Sequence, residues 1–509
     1  MRINSRVDTL KQIVFTLYAK QTALLQHLAL HRLRQPAAQP AYQQKSVEME
    51  NAMAQTNAQI QAAAQAYMDT AIDFLKRKIA MKAVSAEGIS AEHMKLDAQF
   101  VADELERVGV STRVVLSKNA DGTPGAWEVI GEKIVNPAAK TVLLYAHHDV
   151  QPAPTDDGVW KTDPFVGTIK GDRLYGRGAS DDGSGIAIHL GALAILGDEL
   201  GVNVKFFIEG EEEMGSDSFI PFVKEHPDFF DADIMIVADS GNWSPEIPSL
   251  TTSLRGNTNI DVTVRVMESP RHSGAFGGVV LDANTMAALL IASMYNKDGE
   301  LVVDGVKSQE VVGGLQQDID EAQLRIDGSI LPSVKLPGTG SLASRLWVKP
   351  SVTVIGFDAH PVEGSFNVIS PATTFRLSLR TAPSQDPLEA QRALGEFMVA
   401  HAPFGCEVSW KPVDAGRGWA MDADCDVSKI AEKALEDAFE CAPINQGQGG
   451  SIPFIPDLCE MYPKYQVLVT GPEDPQANAH SPNESQSLSS LRKLIAAEAM
   501  MLRDFVHAE

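Results

Sequence analysis

Histidines and carboxylates recur along this 509-residue chain at places where a fold would turn them toward a common point. An apolar run at 142–146 leads into Tyr145-Ala-His147-His148-Asp149, and a second at 204–208 into Glu209-Gly-Glu211-Glu212-Glu213. A third, at 234–238, ends on Asp239, and a fourth, at 467–469, is followed at a distance by Asn478-Ala-His480-Ser. Between the first two lies Gly176-Arg-Gly-Ala-Ser-Asp181-Asp182-Gly, a turn opening a helical pattern. Carboxylates gathered in one crevice repel one another unless a cation holds them, and mixed His/Asp/Glu donors suit zinc, cobalt or manganese. Each motif alone has a bland reading: His-x-Asp as a local hydrogen bond, Glu211 to Glu213 as a solvated turn, Asp181-Asp182 as a helix cap. Their joint placement at strand ends and a helix start favours one shared metal site.

Those groups meet only if the elements beneath them are arranged to deliver them. The four apolar runs are nearly continuous, as in strands covered on both faces, so the expected fold is α/β with a mostly parallel sheet. In such sheets ligands bind beyond the carboxyl ends of the strands, where all four segments end. Helices are expected from about 54, over 97–108 and over 185–196, where Ile186, Leu190, Leu193 and Leu196 share a face. The middle differs. Segments 259–266 and 374–380 alternate apolar and polar residues as half-exposed strands do, and helical stretches fall at 284–294 and 387–400. This predicts an inserted α+β domain over 254–416, with a catalytic domain built from 49–253 plus 417–509. The span 328–340 reads as a loop without chemistry.

Five segments together resemble a known family: Leu144-Tyr-Ala-His-His-Asp-Val-Gln-Pro-Ala153, Leu174-Tyr-Gly-Arg-Gly-Ala-Ser-Asp-Asp182, Glu209-Gly-Glu-Glu-Glu-Met-Gly-Ser216, Pro270-Arg-His-Ser-Gly-Ala-Phe-Gly-Gly278 and Ala479-His-Ser-Pro-Asn-Glu484. They are similar to the motifs of the co-catalytic dizinc metallopeptidases, which include carnosine dipeptidases, aminoacylases and glutamate carboxypeptidases. The Asp-Val-Gln-Pro-Ala ending resembles the carnosinase-like dipeptidase branch more than the deacylases. The resemblance implies a zinc exopeptidase-like catalytic domain with an inserted lid and dimerisation domain. It implies that His147 and Asp239 hold one metal, Glu213 and His480 the other, and that Asp181 bridges them. Asp149 would orient the His147 imidazole, and Glu212 would be the general base toward a water between the metals. His148 is then a bystander and His189 structural. His272 resembles the lid histidine that stabilises an oxyanion, supplied in relatives across a dimer interface. Arg380 resembles the arginine that grips a substrate carboxylate, and Ser451, in Gly449-Gly-Ser-Ile-Pro453, a substrate-facing loop contact. One departure stands out: the family's Asp-Asp-Lys-Gly is here Asp181-Asp182-Gly183-Ser184, one positive charge fewer.

The bulk of the chain limits the alternatives. A formal charge of −24 argues against a nucleic-acid partner, because binding a polyanion begins with lysines and arginines on its phosphates. No apolar run approaches the ~20 residues that cross a bilayer. With only four cysteines and no close pairs among them, the chain reads as a cytoplasmic protein without a disulfide framework. Residues 1–48 form a basic arm, dispensable or upstream of a start at Met49 or Met53, in which Lys20, Gln21 and His27 break up any secretory signal. The expectation is a homodimeric hydrolase with two divalent ions per chain, zinc first and cobalt or manganese as alternatives, acting on amide bonds of dipeptides or short peptides. An N-acyl amino acid amidohydrolase would use the same chemistry. A catalytically silent binding or scaffold protein is the rival of another class, and the retained Glu212 and Asp149 argue against it.

Overall fold

The fold is described from a computed structural model covering residues 55–154, 158–309, 318–422, 424–450, 452 and 454–508. The basic arm and Ser451 lie outside these residues. The first described helix, Asn57–Met81, begins where Thr56 and Gln59 cap each other: the Thr56 hydroxyl accepts from the Gln59 backbone, and the Gln59 side chain accepts from the Thr56 backbone.

Nine strands make the central sheet among the described residues. Its middle is parallel, with strands Asn203–Glu209, Thr141–His147, Ile234–Val237 and Gln466–Val469 side by side in that order. These four correspond to the apolar runs of the sequence, and their shared direction puts all four carboxyl ends at one edge. Every residue of Asn203–Glu209 and Ile234–Val237 is buried, as expected for strands covered on both faces. One cover consists of helices Gly183–Leu196, Leu488–Asp504 and Asn57–Met81 packed against each other. Elsewhere in the core Phe207, Phe219, Phe222, Phe230 and Phe454 gather around Tyr145, with the Tyr145 and Phe454 ring centroids 4.5 Å apart. Each such ring contributes roughly 1.5–3 kcal/mol by leaving water. Antiparallel strands flank the parallel block: Pro124–Lys133 and Ser111–Lys118 on one side, Ser249–Leu254 on the other.

The chain leaves this sheet after Leu254 and enters a second at Gly256. The second sheet is antiparallel, in the order Ser351–Phe357, Ala372–Thr381, Gly256–Arg265, Glu407–Gly416. Ala372–Thr381 buries alternate residues, and Phe375, Leu377 and Leu379 join Ile260, Val262 and Val264 in a core of its own. Helices Ala283–Ala292 and Pro387–Ala400 cover that core. Trp419–Ala420 then pairs again with Ser249–Leu254, so the α+β layer is an insertion into the α/β one.

Candidate metal centre

Each group of the site is set by the way its strand ends. Thr141–His147 closes on His147, whose side chain is fully buried. Asp182 caps helix Gly183–Leu196 by accepting from the Gly185 N–H at 3.1 Å, and its other oxygen accepts the His147 N–H at 3.2 Å. The neighbouring Asp181 is thereby left free to face the crevice. Its Oδ1 lies 3.0 Å from His147 Nε2 and its Oδ2 3.0 Å from His480 Nε2. His480 Nε2 is also 3.1 Å from Glu213 Oε2. Two sets of donors result, His147, Asp181 and Asp239, and Asp181, Glu213 and His480, each with its ligand atoms within 4.8 Å of one another. Asp181 belongs to both.

This donor set fits two divalent cations of the zinc, cobalt or manganese type: two imidazole nitrogens and three carboxylates, one of the three shared between the sets. The electrostatics point the same way. Burial pushes the Asp239 carboxyl up to about 6, with Asp181 and Glu213 adding to the rise. Asp181 is also penalised by burial, yet hydrogen bonds from His147 and His480 hold it well below the usual carboxylate range. Its own bonds to Asp181 and Glu213 hold His480 up at about 11. Protonated imidazoles are therefore what balances the acids of the protein alone, and a cation bound there takes over that charge.

Asp149 ties the site together. Its carboxylate sits 3.3 Å from His147 Nδ1 and accepts the backbone N–H groups of Glu212 and Glu213, both at 3.2 Å. Glu212 is thus aimed by its backbone, while its carboxylate has no hydrogen-bond partner among the described residues. Burial, and then the Asp239 charge, push that carboxyl well above its usual value.

His148 turns the other way. Its Nδ1 is 2.8 Å from Asp97, its Nε2 2.6 Å from the Trp127 carbonyl, and Lys78 closes the network at 3.0 Å from Asp97. His189 is likewise engaged, with Glu498 at 2.7 Å and the Tyr145 carbonyl at 3.1 Å.

Two supporting residues received no role from sequence reasoning. Gln151 donates to Glu213 Oε2 at 2.7 Å and so orients a ligand. Glu484, fully buried, accepts the N–H groups of Gly178, Ser180 and Asp181 at 3.0–3.1 Å and pairs with Arg177 at 2.6 Å, which fixes the loop carrying Asp181. Both lie inside the quoted motifs, but nothing in a sequence says that a glutamate will collect backbone amides. His272 is placed apart: it is exposed on the short strand Arg271–His272, its Nδ1 accepts the Gly274 N–H, and no hydrogen bond or ion pair links it to the ligands among the described residues. Arg380, half-buried on Ala372–Thr381, has no carboxylate within ion-pair reach among those residues.

Residues 143–504 match the model of peptidase family M20/M25/M40. The chain belongs to this family. All five candidate ligands fall inside the matched span, and divalent metal ions are part of this metallopeptidase family's chemistry. Among curated M20/M25/M40-type relatives, the cysteinylglycine-S-conjugate dipeptidase of Corynebacterium striatum is 32% identical over 80% of this chain and 89% of its own. The β-Ala-His dipeptidase of Homo sapiens is 26% identical over 79% of this chain and 84% of its own. The solved structure of the dipeptidase Dug1p from Saccharomyces cerevisiae shares the fold, with a TM-score of 0.72 at 22% identity over 89% of this chain and 99% of that one.

Proposed function

We propose that the protein is a metallo-dipeptidase that hydrolyses the amide bond of dipeptides or short unblocked peptides at a site holding two divalent ions, zinc first, with cobalt or manganese as alternatives. The observation that carries this is the pair of donor sets sharing Asp181, with the unpartnered Glu212 carboxylate beside them. In this reading His147 and Asp239 hold one ion, Glu213 and His480 the other, and Asp181 bridges. When bound, such ions acidify water and polarise a scissile carbonyl. Glu212 takes a proton from the attacking water and passes one to the leaving amine, a role its raised affinity for protons suits. Asp149 keeps His147 and the Glu212 turn in register. Relatives named for Cys-Gly conjugates and β-Ala-His make short peptides the substrate class to test first.

The finer assignments follow from the same reading. Residues 49–253 and 417–509 form the catalytic domain, and 254–416 the lid and dimerisation domain. His272 stabilises the oxyanion from a partner subunit, which its exposed place away from the ligands favours. Phe276, Val279, Val362 and Phe366, exposed on the same domain, supply apolar surface for a homodimer. Arg380 grips the substrate's terminal carboxylate, and Ser451 contacts substrate. Four cysteines without disulfides suit a cytoplasmic location.

The test is a panel of dipeptides run beside N-acyl amino acids, with metal analysis of the same sample. Turnover of dipeptides by protein carrying two ions per chain is expected. Turnover of acyl amino acids alone would shift the assignment to a deacylase, and turnover of neither would favour a silent binding protein.

A further inference from the structure

Lys78 sits in the last turn of helix Asn57–Met81 with its side chain buried, 3% exposed. Its Nζ donates to the His148 carbonyl at 2.6 Å and pairs at 3.0 Å with Asp97 Oδ2, Asp97 being buried on helix Glu92–Arg107. The same Asp97 oxygen is 2.8 Å from His148 Nδ1, and His148 Nε2 donates to the Trp127 carbonyl at 2.6 Å. Neither helix carries a candidate ligand. Both converge on the one residue between His147 and Asp149.

Stability alone accounts poorly for this network. Taking a lysine and an aspartate out of water is costly, and apolar residues of similar volume often serve a core as well or better. Asp97 Oδ1 is, moreover, buried with no partner. What the network does is hold a turn. The His148 N–H donates to the Glu209 carbonyl at 2.7 Å, the Val150 N–H donates to the Ala83 carbonyl at 2.9 Å, and Val84 bridges to Val150. Residues 148–150 are thus gripped by segment 78–84 and by the end of strand Asn203–Glu209. The Lys78 bond fixes the peptide that joins His148 to Asp149. Asp149 in turn sets its carbonyl 3.1 Å and its carboxylate 3.3 Å from His147 Nδ1, and that carboxylate collects the Glu212 and Glu213 amides.

Lys78 also meets the turn that carries Asp181. Its Cγ lies 3.5 Å from where a Cβ on Gly183 would stand, and Gly183 is the position at which the family's Asp-Asp-Lys-Gly motif has its lysine. This chain brings a cation alongside that turn from another helix.

We propose that Lys78, held by Asp97 and His148, is a positioning residue for the metal centre: it fixes the peptide between His148 and Asp149, and through it the geometry of His147 and of the Glu212 turn. This rests on the two-metal reading of the site. Without Lys78 the ligands are all present but less firmly held, a loss that typically weakens metal binding by roughly 10–100-fold.

The experiment uses the full chain as wild type, Lys78→Met and Asp97→Asn. Gly395→Ala serves as a control whose strain lies in the inserted domain, where a Cβ would meet the Trp410 indole. Each protein is measured for zinc and cobalt affinity by competition with a chelator, for the visible absorption of its cobalt form, for kcat and KM on a dipeptide, and for Tm. Lys78→Met is expected to bind metal roughly 10–100-fold more weakly, to shift the cobalt bands and to lose kcat more than KM when saturated with metal. Asp97→Asn, which keeps the shape and one acceptor, should change in the same direction by less. Gly395→Ala should lower Tm and leave affinity and bands as in wild type. A lysine that serves only the core would behave like that control, and this result would overturn the proposal. If Lys78→Met does not fold, the affinity and bands of Asp97→Asn decide in the same way. Wild type that binds no divalent ion would overturn the two-metal reading and the proposal with it; wild type that binds two, with affinity and bands unaltered in the variants, overturns only the proposal.

Discussion

Asp149 shows how much of this site is organised by a residue that lies outside both candidate donor sets. One carboxylate holds the His147 imidazole and, through two backbone amides, aims both Glu212 and Glu213. Glu212 is left without a hydrogen-bond partner among the described residues, which suits the general-base role proposed for it. Replacing it with glutamine keeps the shape and removes the proton acceptor, so kcat should fall by roughly 10²–10⁴-fold while two metals per chain remain bound. Steady-state rates and metal analysis of Glu212→Gln check this. Acidity gives a second prediction. His480, held up at about 11 by Asp181 and Glu213, contributes stability to the metal-free protein that is full below its ordinary value and lost as pH rises toward 11. Asp239, raised to about 6 by burial, adds a cost as it ionises with rising pH. The two act in successive windows, Asp239 between its ordinary value and about 6, His480 from its own ordinary value up toward 11: the Tm of chelated protein should drop between about pH 7 and pH 9 through His480, and its gap to metal-loaded protein should widen. A gap that narrows over this range would contradict the account. The candidate donors were readable in the sequence because histidines and acids gathered at strand ends point to one crevice, and the structure brings them within 4.8 Å of one another in two sets. Gln151 and Glu484 were not, because their roles depend on which atoms the fold brings near.

At the scale of elements, the parallel strands were legible because each is an apolar run without alternation, and helices 185–196 and 387–400 because their apolar residues recur at helical spacing. Strands Ser111–Lys118, Ser351–Phe357 and Glu407–Gly416 gave no such signal. Each lies at the edge of its sheet, and exposed residues predominate in two of them, so neither continuous burial nor clean alternation marks them. Glu407–Gly416 depends instead on the helix above it. Gly395 of helix Pro387–Ala400 rests on Trp410, and a Cβ there would come within 2.1 Å of the indole. Gly395→Ala should therefore cost about 1–3 kcal/mol by overpacking, despite alanine's better helix propensity. Urea unfolding measures it, and a stabilised variant would show that the helix lies elsewhere.

For the whole molecule, the question is how His272, which no hydrogen bond or ion pair links to the candidate ligands among the described residues, could take the role proposed for it. Among the described residues no helix is long and apolar enough to cross a membrane, and the inserted domain that carries His272 exposes the apolar side chains Phe276, Val279, Val362 and Phe366. If a partner subunit supplies His272, mixing His272→Ala protein with Glu212→Gln protein should restore part of the activity that neither has alone. An inactive mixture, with subunit exchange demonstrated, would place each site within one chain. Beneath this lies the claim that His147, Asp181, Glu213, Asp239 and His480 work as one dinuclear centre. Adding zinc or manganese stepwise to chelated protein while following dipeptide hydrolysis tests it most directly. Activity should be absent at the start, rise with binding and level off at two equivalents per chain; full hydrolysis by metal-free protein would contradict it.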